Sequence, residues 1–287
     1  MPRPMLLGAV AYAPKVVAIW EGFKAFFLRR GLDFDFILYS NYERQVDAQF
    51  SGEIDIAWNS PLAWLRAERL ARVRHVTDRV RAVAMRDTDC DLTSIIVVRA
   101  DSAIRSISDL RGKRIGVGAI DSPQATLIPL QWLREQGIDG ERDATVVRHD
   151  ILGGKHGDHI GGERDAAAAL MAGNIDAACM IDGNNLSFTQ EGVLAAGRTR
   201  VLGRTSAYDH CNFTSSPQAG QAQIERFAEL LLEMRYDDPE VRPLLELEGL
   251  KQWRRGRTSG YAVLDKAVTT TGFYTAEGAI GIAGYRY

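Results

Sequence analysis

Apolar residues recur along this chain in two alternating rhythms. Short runs rich in aliphatic and β-branched residues have the length of buried strands: Met5 to Ala11, Phe34 to Leu38, Ile54 to Trp58, Ser94 to Val98 and Arg114 to Ile120, with Val146 and Val147 in a further one. Between them lie segments whose apolar positions fall three and four apart, the spacing of one helix face: Val16 to Arg30 with Gly31 as its stop, Leu62 to Ala71, and Ala219 to Met234. Ser106 to Lys113 reads as a short helical turn ahead of the Arg114 strand. Strands alternating with helices predict an α/β fold with a mostly parallel sheet flanked by helices.

One unit recurs. Gln45 to Trp58 and Ala167 to Met180 each read as a helix stopped by glycine, Gly52 and Gly173, followed by an apolar strand that opens Ile-Asp. The duplication predicts two lobes, residues 1–95 with 206–287 and residues 96–205, joined by two strand crossovers. A second feature also recurs. Asn59-Ser60-Pro61 and Asp121-Ser122-Pro123 each follow a strand and place serine at an N-cap with proline at the first helical position. Both helices therefore start at the carboxyl ends of strands, where open α/β sheets bind ligands. Pro129, inside the second run, predicts a kink or a late helix start.

Composition narrows the function. The chain has 287 residues, 46% apolar and 25% charged, which is material for folded lobes rather than disorder. A net charge of −2 supplies no basic field for nucleic acid or an anionic membrane, so any anion specificity must be local. Cys90, Cys179 and Cys211 are widely spaced, which indicates reduced thiols rather than a disulfide framework or a zinc ribbon. No apolar run approaches the roughly 20 residues that span a bilayer, so the chain is not expected to be membrane-embedded. The amino-terminal stretch lacks the h-region and cleavage site of a leader, which predicts a cytoplasmic location as written, or a periplasmic one if a leader has been removed.

Asn41-Tyr42 followed by Gly52 to Trp64 resembles the signature of the phosphonate/phosphate-binding proteins of ABC transporters, a tyrosine ahead of a GxxDxAWxxPxA element. Val97 to Ser102, Asp109 to Arg114 and the Asp121-Ser122 turn carry the same likeness, which spans roughly residues 5–215. The resemblance implies a type 2 periplasmic-binding-protein-like fold, a solute-binding protein that closes on a small anionic ligand in the inter-lobe cleft, no cofactor, and an ABC transporter permease as partner. It also implies that hydroxyls and backbone N–H groups of a turn at a helix start hold the phosphonate. The matching turn is Asp121 to Thr126, with Ser122, Gln124, Ala125 and Thr126 as ligand residues; Pro123, Gln124 and Ala125 stand where the family has hydroxyls, which leaves a carboxylate, sulfonate or other oxyanion open. The family's histidine after a glycine turn matches His156 or His159, and its ligand-contacting acid falls at Asp182, in the segment that also carries Asn184. Tyr208 to Thr214 is not typical of the family.

Read from the residues themselves, the helix starts after Ser60, Ser122 and Gly162 are the proposed anion donors, because unpaired N–H groups and the helix dipole concentrate positive charge there. They are expected to converge on one crevice. Asn59 adjoins the first of these starts, and Tyr12 and Tyr42 are candidate walls, with core packing as the alternative for both. The turn from Lys155 to His159 is glycine-rich and carries cationic groups, so it is either a ligand turn or a surface loop. A second class of function is a cytoplasmic enzyme on the same scaffold, similar to menaquinone-pathway enzymes or thiamine-pyrimidine synthases. It would use His156, Asp158, His159, His210 and Cys211 as acid/base groups or as ligands of zinc or iron. A third, the effector domain of a transcription regulator, lacks a helix-turn-helix. Gly116-Val117-Gly118 lacks dinucleotide-fingerprint spacing, and Arg254 to Arg257 reads as a solvated turn.

Overall fold

In the computed structural model, which describes residues 3–149 and 153–287, the helix expected from Val16 runs Lys15–Arg29. It is α1, after β1 (Met5–Val10), and it buries Val16, Ile19, Trp20, Phe23, Phe26 and Phe27, all on one face. Arg30 caps it, and Gly31 takes the left-handed φ of +77° that ends the helix. Then follow β2 (Phe34–Tyr39), α2 (Tyr42–Ser51), β3 (Ile56–Asn59), α3 (Pro61–Val73) and β4 (Ala82–Arg86). The chain continues through β5 (Ser94–Arg99), β6 (Arg114–Val117), α4 (Ile128–Glu135), α5 (Gly140–Asp143), β7 (Thr145–Arg148), α6 (Gly161–Met171), β8 (Ala177–Ile181), α7 (Asp182–Gln190) and β9 (Thr199–Arg204). The last elements are β10 (Asn212–Ser215), α8 (Gln221–Leu232), α9 (Arg242–Glu248), β11 (Trp253–Arg255) and α10 (Ala262–Thr271).

These elements form two compact units, residues 1–90, 209–261 and 274–280 in the first, and 91–208, 262–273 and 281–287 in the second. The first holds a six-stranded sheet in the order β11-β4-β10-β3-β1-β2 and the second a five-stranded sheet in the order β7-β6-β8-β5-β9. Each sheet is mixed rather than mostly parallel. β2, β1 and β3 run parallel, as do β7, β6 and β8, in keeping with helical crossovers. β10 pairs antiparallel with β3 and β4, and β5 pairs antiparallel with β8 and β9. β11 pairs antiparallel with β4; β5 and β10 are each the first strand formed after the chain changes unit, so no helix of their own unit returns them to a parallel course.

The first unit's core is aromatic. Phe27 packs on Phe34 at 4.7 Å and on Phe227 at 4.9 Å, and Trp58 on Phe213 at 4.6 Å, between ring centroids. Each such fully buried side chain contributes roughly 1.5–3 kcal/mol before the entropy of ordering it. In the second unit, aliphatic clusters line both faces of the sheet, with Ile95, Val97, Leu170 and Met180 in one and Ile96, Val98, Val117 and Leu133 in the other, as the strand alternation of β5 requires. The basic run Arg254 to Arg257 is not simply a turn. Arg254 and Arg255 lie in β11, and Arg257 grips Asp209 with Nε to Oδ2 at 2.7 Å and Nη2 to Oδ1 at 2.6 Å.

Candidate functional site

In the second unit β6 ends at Val117 and the chain turns at once into the Asp121-Ser122-Pro123 segment. Ser122 caps the start as expected, its Oγ accepting from the Ala125 N–H at 3.2 Å. Pro123–Leu127 then forms one wide turn of π type, and α4 starts only at Ile128, with Pro129 in its first turn. This is the late start that Pro129 implied. Side chains fix the turn from behind: Thr126 Oγ1 donates to the Ala119 carbonyl at 2.7 Å, and Ser94 Oγ donates to the Gln124 carbonyl at 2.5 Å while sharing a hydrogen bond with the Tyr208 hydroxyl. Burial pushes the Tyr208 phenol well above its ordinary pKa, so it serves as a neutral hydrogen-bonding group.

The glycine-rich turn, more than thirty residues later, is seated on this one. Gln124 Nε2 donates to the Gly157 carbonyl at 3.0 Å, and Asp121 Oδ2 accepts from the backbone N–H of Gly154 at 2.6 Å and of His156 at 3.3 Å. Gly157 lies so close to Ser122 and Gln124 that an added Cβ would collide with Ser122 Oγ and stand 2.7 Å from Gln124 Nε2. Its φ of +78° is also one that side chains avoid. His156 and Ile160 hold left-handed backbone at φ of +50° and +42°, strain of the kind that persists where surrounding contacts over-determine it. The start of α6 completes the cluster: a Cβ on Gly162 would be 2.8 Å from the His149 carbonyl and 3.1 Å from Gly118 Cα.

Ser122, Gln124, Ala125, Thr126 and His156 are therefore brought together and buried. Lys155 is half-buried on the same turn, and burial lowers its pKa against the opposing charge of Asp158. His159 Nε2 is buried and without a hydrogen-bond partner among the described residues. Asp182 and Asn184, at the start of α7, have other engagements. Asp182 Oδ2 accepts from Arg204 Nη1 at 2.5 Å, and Asn184 Nδ2 donates to Glu163 Oε2 at 2.8 Å. Glu163 also accepts from the Ile181 N–H at 2.9 Å, which ties the starts of α6 and α7 to each other. Asp121 and Tyr208 entered the sequence reading only as the first residues of a turn and of a segment, and Glu163 and Ser94 were not proposed as site residues, because single buried polar residues carry no distinguishing pattern.

In the first unit Ser60 caps α3, accepting from the Ala63 N–H at 3.1 Å, with Pro61 at the first helical position. Asn59 has both ends of its amide engaged, Oδ1 accepting from Gln45 Nε2 at 2.8 Å and Nδ2 donating to Gln49 Oε1 at 3.3 Å. Gln49 in turn donates to the Ser215 carbonyl at 3.0 Å, so a buried amide chain links α2, β3 and β10. Tyr42 is buried at the start of α2, and half-buried Tyr12 packs against the aromatic core beside Lys15.

Cys90, Cys179 and Cys211 are free thiols. His210 and Cys211 belong to the first unit and His156, Asp158 and His159 to the second. Among the described residues the one triple with ligating atoms within 4.8 Å of each other is Asp89, His210 and Cys211, all buried. His210 Nδ1 lies 3.1 Å from Cys211 Sγ and 3.5 Å from Asp89 Oδ1. Arg86 occupies the same carboxylate from the other side, which sets a fixed cation where a metal would need the charge.

A match to the family described as the periplasmic substrate-binding protein of a phosphonate ABC transporter runs over residues 12–261. The chain belongs to that family. Solved structures repeat its fold. PhnD1 from Prochlorococcus marinus, in complex with methylphosphonate, superposes with a TM-score of 0.71 at 14% identity, over 95% of this chain and 99% of that one. A binding protein component of an ABC phosphonate transporter from Pseudomonas aeruginosa gives 0.61 at 15% identity, over 94% and 85%. A Xanthomonas citri protein bound to ATP gives 0.67 at 15% identity, over 94% and 98%. This phosphonate-binding-family chain thus carries the α/β type 2 periplasmic-binding fold, and no helix among its described residues is long and apolar enough to cross a membrane.

Proposed function

We propose that this protein is a solute-binding receptor for a small oxyanion, a phosphonate, phosphate or similar group, held without chemical change. The observation that carries the reading is the seating of the Gly154–Gly157 turn on the Ser122 helix start, with the α6 start beside both. The α6 start and the cationic Lys155 beside the turn are the proposed source of attraction for negative charge in a protein of near-neutral balance. Proposed ligand groups are Ser122, Gln124, Lys155, His156 and His159, all in the second unit. As in the rest of its family, the proposed partner is an ABC transporter permease, and the proposed compartment the periplasm.

The test is a panel of methylphosphonate, inorganic phosphate, an alkanesulfonate and a carboxylate. Binding to the folded state alone at about 100 times Kd stabilises by about 2.7 kcal/mol, a readily visible rise in Tm. The expected outcome is that a phosphonate or phosphate raises Tm and is recovered intact. Consumption of the compound, or a panel without effect, overturns the proposal.

A further inference from the structure

Asp121 joins the two turns of the candidate site to a third segment that the sequence did not connect with them. Its Oδ2, already accepting from the Gly154 and His156 backbone, also accepts from the Tyr285 hydroxyl at 3.0 Å. The Tyr285 ring packs on Phe273 at the end of α10, centroids 5.0 Å apart, and on Tyr287 at 5.9 Å. Gly281 N–H donates to the Phe273 carbonyl at 2.9 Å, which fixes where the segment leaves the helix. Further along, the Arg286 carbonyl lies against Gly153, so close that a Cβ there would collide with it. Residues 281–287 therefore touch the glycine turn at its first residue and hold the carboxylate to which that turn is pinned. All of these residues belong to the second unit.

We propose that residues 281–287 are a positioning element of the oxyanion turn, acting through the Tyr285 hydroxyl on Asp121. The proposal rests on the oxyanion reading for its functional consequence, though not for its mechanics. A buried carboxylate free to swing offers its donors a poor acceptor; Asp121 is fully buried, and the hydroxyl fixes one of its oxygens in line with two backbone N–H groups. His156 holds its left-handed backbone on that anchor. The segment sets where His156 and Lys155 stand, without itself being a ligand group.

Tyr285→Phe removes the hydroxyl and leaves the ring on Phe273. Amide hydrogen exchange at Gly154 and His156, read without any ligand, is expected to quicken about tenfold, the change that loss of one charge-assisted hydrogen bond brings, while α4 amides keep their rates. The Kd for inorganic phosphate or methylphosphonate is expected to weaken by a similar factor with Tm nearly unchanged. In an Asp121→Asn background the same substitution is expected to add little, because the hydroxyl acts through that carboxylate. Unchanged exchange at Gly154 and His156, or fully additive losses in the double variant, overturns the proposal. Quickened exchange in a protein that binds neither probe supports the positioning role and refutes the oxyanion reading, so the two fail separately.

Discussion

Arg86 grips Asp89 with two parallel hydrogen bonds, Nε to Oδ2 at 2.6 Å and Nη2 to Oδ1 at 2.9 Å. Arg86 also donates to the Glu248 backbone carbonyl at 2.9 Å, and its guanidinium lies 5.2 Å from the Trp58 ring centroid. The pair is thus built into the aromatic core of the first unit, and removing Asp89 leaves the guanidinium only the more distant Glu248 carboxylate, Oε1 at 3.3 Å, as a counter-charge. Asp89→Ala is expected to lower unfolding stability by about 3–5 kcal/mol. Urea denaturation followed by circular dichroism measures it. Because the guanidinium already neutralises the carboxylate, one zinc ion per chain retained through dialysis would contradict this account of the Asp89, His210 and Cys211 group.

The same carboxylate predicts an acid limb of stability. Burial alone would raise its pKa, but the Arg86 charge, the hydrogen bonds from His210 and Arg86, and the His210 charge outweigh it and hold Asp89 at about 2, against an ordinary 3.8. A carboxyl with a depressed folded pKa stabilises fully above its unfolded pKa and loses that contribution as pH falls through the folded one. The contribution is about 2 kcal/mol, undiminished above roughly pH 5 and gone near pH 2. Acid titration of Tm for the wild type and for Asp89→Asn should show a steeper fall in the wild type below pH 4. Parallel curves would show that other carboxylates set the acid limb.

Gly157 is where two segments distant in sequence come too close for a side chain. Gly157→Ala demands a Cβ against Ser122 Oγ and Gln124 Nε2 at a φ of +78°. The strain and displacement cost about 1–3 kcal/mol, released by lifting the glycine turn off the Ser122 start. Affinity for the oxyanion is expected to fall at least tenfold, measured by calorimetry, with a smaller relative change in Tm than in Kd. A binding isotherm equal to that of wild type would separate the glycine turn from the ligand.

The architecture was legible because its signals are local. Gly31 and Gly52 end their helices, Ser60 and Ser122 cap theirs, and Pro129 delays α4, each by chemistry confined to a few residues. The direction of β5 and β10 was not legible, because strand polarity at a change of unit depends on the path between units rather than on the strand's own residues. In the site, Ser122 and the Lys155–His159 turn stood out by composition, whereas their mutual seating passes through Asp121 and Gln124, whose partners are backbone groups that no residue pattern announces. Asn59 illustrates the reverse: its place beside a helix start suggested a ligand group, and its amide is engaged by Gln45 and Gln49.

Lys155 makes the oxyanion reading testable by pH. Burial lowers its pKa below the ordinary 10.5 against the opposing Asp158 charge, because the ammonium is partly withdrawn from water. An oxyanion brought beside it supplies negative charge and favours the protonated form, so binding takes up protons where the free protein has begun to lose them. The sign follows: affinity is greatest below the depressed pKa and weakens as pH rises through it, before an ordinary lysine would titrate. Lys155→Met is expected to weaken phosphate binding about tenfold near neutral pH and to flatten the alkaline limb. Calorimetry in buffers of different ionisation enthalpy reads the proton uptake directly, and an alkaline limb that survives in Lys155→Met would show that the charge meeting the ligand comes from elsewhere.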